Sequence, residues 1–356
     1  MAPTSTDELR DIVLEGVPMR VVGAGTWLDA GRPVAVERVV ELGTMSGLVE
    51  YTPGDLTLTA RAGTTLGNIA AATQAEDQWL ALDPYGTDAG TIGATIATAS
   101  AGPLAHAFGR PRDLVLGLEV VTGTGAIVHG GGRVVKNVAG FDLTRAITGS
   151  WGTLGIITSV TVRLHALPAV DETFVIPVGP AWRDIAPVLD RLAVAPIAPI
   201  ALQVVNSALA RSLDLGVDDS AILVRIAGNA RSAKAQRAAL GPAVELPSDV
   251  WRGLRAADGS GTGVFRCSDL PTRVGVIWDT VSRGDVMVDA SPRRGIVRCV
   301  GSDAVPDGIG TVIGERLPAS VWQSLGPGPA SDLLSRDLRA AFDPGRVLNP
   351  GIFGNG

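Results

Sequence analysis

The chain has 356 residues, 46% of them hydrophobic and 19% charged, which is enough for two cores and too apolar for a disordered polypeptide. Its net charge of −6, with Lys136 and Lys234 the only lysines among 30 basic residues and no basic cluster, excludes a nucleic-acid surface. The two cysteines, Cys267 and Cys299, have no metal-type spacing, and nothing else suggests a disulfide framework, so the expected setting is a reducing cytoplasm.

Residues 1–16 are polar and read as a capped helix start without the apolar core of a signal peptide. A strand follows at Met19–Val22 and runs into VVGAGTW, Val21–Trp27, which holds the first two glycines of a dinucleotide fingerprint, with Glu41 downstream as a ribose ligand. The third glycine is missing, Leu28 stands where close packing needs a small residue, and the next segment is a turn, all of which disfavours a nicotinamide-binding domain. Further strands are predicted at Leu56–Arg61, Val115–Thr122 and Ala126–His129, with a second glycine-rich loop from Thr87 to Gly109 between them. Val134 and Val135 end an extended run, and Lys136–Gly140 form a loop in which Gly140 supplies backbone freedom. Asp142 is the candidate N-cap of a helix over Leu143–Ile147. Gly149, Gly152 and Gly155 are too closely spaced for a stable helix and suit a backbone folded tightly against a ligand, before an alternating strand at Ile156–Leu164.

After Pro168 the composition shifts to Ala and Arg, with helices predicted at Trp182–Ala193 and Ser232–Leu240 and strands at Ala201–Val205 and Ala221–Ile226. Ala256–Gly263 and Leu325–Ser331 read as exposed loops, and the final segment as a helix followed by a proline- and glycine-rich tail from Phe342. The most apolar run, Ala193–Val205, is short and broken by Pro196 and Pro199, so a membrane would be reached only through a partner.

Several of these segments together resemble the vanillyl-alcohol oxidase (PCMH) type of FAD-binding family, most closely the FAD-binding subunits of bacterial glycolate oxidases. The resemblance is carried by GAGT at Gly23–Thr26, TIGA at Thr91–Ala94, KNVAGFDL at Lys136–Leu143, GSWGTLGI at Gly149–Ile156 and FDPGRVLNPG at Phe342–Gly351. It covers Met19–Pro168 continuously and returns in the tail. It implies an α+β fold divided into an FAD-binding domain at 1–168, an α+β cap at 169–335, and a tail at 336–356 that folds back near the flavin ring. It also implies a cofactor site of Gly23, Ala24, Gly25, Thr26, Pro84, Thr91, Ile92, Gly93, Asp142, Gly149, Gly152, Thr153, Ile156 and Asn349. Some relatives attach FAD through a histidine in the first or second loop; the first loop offers Thr26 and Trp27, and His106 reads as a packing residue, so non-covalent FAD is expected.

Relatives that oxidise 2-hydroxy acids unaided use a cap-domain histidine cluster with a divalent metal, whereas this chain has no histidine and no tyrosine after Ala169. No metal site and no catalytic base are therefore assigned. Arg225, Arg266, Arg293, Arg294 and Arg298 could clamp a carboxylate, but surface salt bridging is the favoured reading, and Arg112 with Asp113 reads equally as a surface pair or a cofactor-orienting one. The resemblance then implies an FAD-carrying subunit of a glycolate oxidase complex, with a second flavoprotein and an iron–sulfur subunit as partners and a small 2-hydroxy acid as the substrate. A self-sufficient FAD-dependent dehydrogenase or oxidase, or a scaffold without functional flavin, stands as the alternative.

Overall fold

The computed structural model describes every residue except 28, 35, 133–141, 258–262, 303, 326–331 and 355–356. The Lys136–Gly140 loop, with Val134, Val135 and the greater part of the KNVAGFDL motif, lies outside the described residues, as does much of the two predicted loops at 256–263 and 325–331. Backbone contacts divide the chain into two compact units, one of Met1–Ala101, Gly109–Leu167 and Gly326–Gly356, the other of Gly102–Phe108 and Pro168–Leu325.

In the first unit β1 (Met19–Val22) pairs in parallel with β2 (Arg38–Glu41). An antiparallel sheet is built from β3 (Leu48–Thr52), β4 (Thr57–Arg61), β6 (Val115–Val121), β7 (Ile127–Gly131) and β8 (Ile156–Arg163) in the order β3-β4-β8-β6-β7, and β5 (Gln78–Trp79) pairs with β9 (His165–Ala166). Alternation in β8 sends Val160 and Val162 into a core shared with Leu58, Ala60, Ile92 and Ile96. A second core joins Leu9 and Val13 of the Thr6–Leu14 helix to Met19, Val40, Val347 and Leu348. The tail enters this core as a third parallel partner, since the Met19 N–H donates to Val347 O at 2.8 Å and the Asn349 N–H to Met19 O at 2.9 Å.

The second unit is one antiparallel sheet of eight strands: β10 (Val170–Val178), β11 (Ala201–Val205), β12 (Ser220–Gly228), β13 (Val244–Leu246), β14 (Val264–Ser268), β15 (Met287–Ser291), β16 (Ile296–Val300) and β17 (Thr311–Arg316), in the order β13-β10-β12-β11-β15-β16-β14-β17. Helices Trp182–Val194, Ala230–Leu240 and Val274–Val281 contribute to an apolar core on one face. Residues that alternate with that core carry polar groups: Gln203 Nε2 donates to Asp289 Oδ2 at 3.0 Å, and Arg298 Nε to Glu315 Oε2 at 2.9 Å. Arg298 is only 1% exposed, which corrects its reading as a surface ion pair; a buried guanidinium persists because Glu315 is buried with it. Arg225 forks onto Asp171 through Nε at 2.8 Å and Nη2 at 2.5 Å.

The Gly102–Phe108 segment belongs to this unit, tied by a 3.1 Å bond from Arg294 Nη1 to Gly102 O. Burial first, and then the Arg293 and Arg294 charges, push the His106 imidazole down to about 4, so it is neutral at pH 7.

Candidate functional site

Beyond β1 the chain turns at Gly23–Trp27, with Gly25 in the left-handed region at φ 72°. A Cβ at Gly23 would stand 2.4 Å from Thr91 Oγ1, so the first turn lies directly against the start of the Ile92–Thr98 helix. Thr91 caps that helix, accepting the Ala94 N–H at 3.3 Å, while the Ile92 and Gly93 N–H groups donate to Thr64 O and Ala62 O, both at 2.9 Å. The second turn thereby spends its own N–H groups on anchoring itself. In the first turn, by contrast, none of the Gly23–Thr26 N–H groups donates to another described residue, leaving a row of backbone donors suited to an anion.

The opposite wall is the Gly149–Ile156 turn, where Gly149, Trp151 and Gly152 take φ of 84°, 52° and 71°. It is strapped to the Ile92–Thr98 helix by Gly149 N–H to Ile96 O at 3.1 Å and Trp151 N–H to Ala97 O at 2.8 Å. Asn349, 4% exposed and itself at φ 44°, braces both walls. Its Oδ1 accepts the Val21 N–H at 2.9 Å and its Nδ2 donates to Trp151 O at 2.8 Å. A Cβ at Gly152 would stand 2.7 Å from that Nδ2, which is why glycine is required there.

These elements enclose a cleft of about 1070 Å³, counted out to its mouth. Of the residues singled out from sequence, Gly23, Ala24, Gly25, Thr26, Pro84, Thr91, Gly93, Gly152, Ile156 and Asn349 line it. Four do not. Ile92 is fully buried in the sheet core, and Gly149 packs against Ala99. Thr153 bonds back to Ser150 O and faces a different cavity. Asp142 caps the Leu143–Ile147 helix, accepting the Arg145 N–H at 3.1 Å, and the Thr144 hydroxyl, foremost, holds its carboxyl below the usual range. Arg112 and Asp113 are likewise absent from the lining and sit 3.8 Å apart as a half-exposed pair.

The cleft also contains residues that sequence reasoning passed over: Arg20, Tyr85, Ser100, Trp151 and Ile352. Trp151 fills the variable position of the GSWGTLGI motif, Tyr85 adjoins Pro84, and Arg20 lies within the short strand β1, outside any motif. Arg20 is the one charged residue among the described lining, and burial lowers its pKa. Ser100 Oγ is buried without a hydrogen-bond partner among the described residues. Backbone donors, one guanidinium, an unanswered hydroxyl and apolar walls of Leu42, Trp151, Ile156 and Ile157 fit a dinucleotide with a diphosphate at one end and a flat ring at the other. No group of three or more His, Cys, Asp or Glu among the described residues is placed to hold a metal ion.

Residues 1–131 match a family described as an FAD binding domain. Over 253 residues the chain is 31% identical to glycolate oxidase subunit GlcE of Escherichia coli (strain K12), an alignment taking in 70% of this chain and 67% of that subunit. The chain belongs to this FAD-linked oxidoreductase family. Another relative, glycolate oxidase subunit GlcD of Bacillus subtilis (strain 168), is 35% identical over 49% of this chain and only 38% of its own length. Among solved structures p-cresol methylhydroxylase has the same fold, with a TM-score of 0.73 at 16% identity over 99% of this chain and 88% of that one. FAD is the cofactor of the family, and the cleft's residues fit it.

Proposed function

We propose that this chain holds a non-covalent FAD in the cleft of its first unit and serves as a flavin subunit of a multisubunit enzyme. That enzyme oxidises a small 2-hydroxy acid, of the glycolate or D-lactate kind, to the 2-oxo acid. The observation that carries the reading is the row of undonated N–H groups at Gly23–Thr26 on the wall of a cleft braced by Asn349, in a chain similar to GlcE. Bound FAD supplies two-electron acceptor chemistry at such a site. The Gly23–Thr26 N–H groups and Arg20 hold the diphosphate, Ser100 offers its hydroxyl to a polar atom, and Pro84, Gly152, Ile156 and Asn349 set the position of the ring. Thr91, Ile92, Gly93, Asp142, Gly149 and Thr153 keep the turns in place.

A second flavoprotein and an iron–sulfur subunit complete the complex in this reading. Association with a membrane is assigned to those partners, and no helix among the described residues is long and apolar enough to cross one. The deciding experiment is acid precipitation of the purified chain followed by turnover assays. Flavin released to the supernatant as FAD, with glycolate oxidised only when partner subunits are added, is the expected result. Flavin retained in the pellet would overturn non-covalent binding, and turnover by the chain alone at about ten per second would overturn the subunit assignment.

A further inference from the structure

A second cavity in the first unit, about 1120 Å³ counted out to its mouth, lies beside the tail and shares Asn349 and Ile352 with the flavin cleft. Its charged lining is lopsided. Arg336 and Arg339 of the Leu333–Phe342 helix are three residues apart and share a face, and Arg346 joins them from the tail, its backbone left-handed at φ 52°. The one carboxylate in the lining is Asp343, 4% exposed, and both its oxygens are occupied, Oδ1 by the Val347 N–H at 3.0 Å and Oδ2 by the Leu348 N–H at 2.9 Å. The same segment also carries Asp332, whose carboxylate is taken up by Ser335, and Asp337, but neither is in the described lining, so the groove itself faces outward with three guanidinium groups.

One turn before Arg336, on the same ridge of the helix, Leu333 is 73% exposed. A small anion would use the guanidinium groups and leave that leucine in water. A protein partner would use both, since arginine with a neighbouring apolar anchor is the composition of interface cores.

We propose that this groove docks an acidic segment of a partner chain, with an apolar side chain of that segment covering Leu333. The inference rests on the multisubunit reading above. It needs no turnover to test, so its failure is distinguishable from failure of that reading. Asn349 and Ile352 line both the groove and the flavin cleft, so a partner seated there adjoins residues of the cofactor site.

The test is fluorescence anisotropy with the FAD-loaded full chain and a labelled ten-residue Asp/Glu peptide carrying one central leucine. Binding is expected to weaken about tenfold between about 50 and 250 mM salt, and about tenfold in the triple variant Arg336→Glu, Arg339→Glu, Arg346→Glu. Leu333→Ser should weaken it about threefold on its own. The corresponding triple glutamine variant keeps the side-chain stems and guards against a folding defect, and the flavin spectrum of each variant should be that of the parent. Equal binding by parent and both triple variants, or no binding by the parent, overturns the proposal. Insensitivity to Leu333→Ser, with inorganic pyrophosphate displacing the peptide at equal concentration, overturns it in favour of a small-anion site. Arginine-dependent sedimentation with phosphatidylserine vesicles in place of peptide binding overturns it in favour of a lipid surface.

Discussion

A side chain at position 93 has nowhere to go: a Cβ there would stand 2.7 Å from the Cβ of Ala62 and 2.9 Å from its carbonyl oxygen. The glycine is therefore demanded by the seating of the Ile92–Thr98 helix on the end of β4 as well as by its place in the cleft wall. Gly93→Val should cost about 1–3 kcal/mol of stability through overpacking and should weaken FAD binding as the second turn shifts. In an Ala62→Gly background part of the loss should return, as read by thermal melts and by fluorescence titration of the apoprotein. No recovery at all would mean that the Ala62 carbonyl, not its methyl, sets the limit. His106 makes a different prediction. Its folded pKa of about 4 lies below the ordinary 6.5, so the stability it contributes is complete above pH 6.5, declines as pH falls towards 4, and changes no further below. An NMR titration should place its midpoint near 4, and Arg293→Gln with Arg294→Gln should raise that midpoint only in part, because burial is the larger cause. A midpoint near 6.5 in the parent would refute the buried, arginine-flanked description.

The tail pairs with β1 through a parallel bridge at Met19 and Leu348, so its removal is a loss of pairing and of bracing together. Deleting residues 342–356 should abolish FAD retention through gel filtration. Asn349→Ala should do less, leaving the Val21 N–H and the Trp151 carbonyl without their side-chain partner at a cost of about 1–3 kcal/mol and shifting the flavin spectrum. Full flavin content in the truncated chain would remove the tail from the site. At this scale the elements differ in how far their residues announce them. The strands Met19–Val22 and Ala201–Val205 and the Asp142-capped helix Leu143–Ile147 fold with the bounds that their sequence suggests, because alternation and capping act locally. β10, nine residues long, is not legible in advance: it carries Asp171 and Glu172 directly after its first residue, and Pro177 near its end, all signals against a strand. The two acids are answered by Arg225 and Arg237, partners far away in sequence. The same applies to β14, β16 and β17, where Arg266, Arg298 and Glu315 look like surface residues until they meet. In the cleft the glycine turns and the tail are legible because their backbone geometry demands particular residues. Arg20 and Tyr85 occupy positions that make no such demand, and Trp151 takes its left-handed φ of 52° without the glycine that would announce it.

For the molecule as a whole, a ligand that binds only the native cleft stabilises by about 2.7 kcal/mol at a hundredfold excess over its dissociation constant. Hydrogen exchange with and without FAD should show added protection in β1, the Ile92–Thr98 helix, β8 and the tail, and little in β10–β17. A uniform rise over the chain would instead mean that both units open in one cooperative step. The Val21–Asn349 bond joins residues 328 positions apart. At the usual ribosomal pace of about 5–20 residues per second, β1 waits roughly 20–60 s for its last partner to be synthesised. The first turn and its row of N–H groups exist early in the nascent chain, but the brace that holds them against the opposite wall arrives only once Asn349, 328 residues after Val21, has been made. Flavin capture should therefore wait until Asn349 has emerged, and a chain stalled before that residue should leave the ribosome colourless however well its first 160 residues have folded.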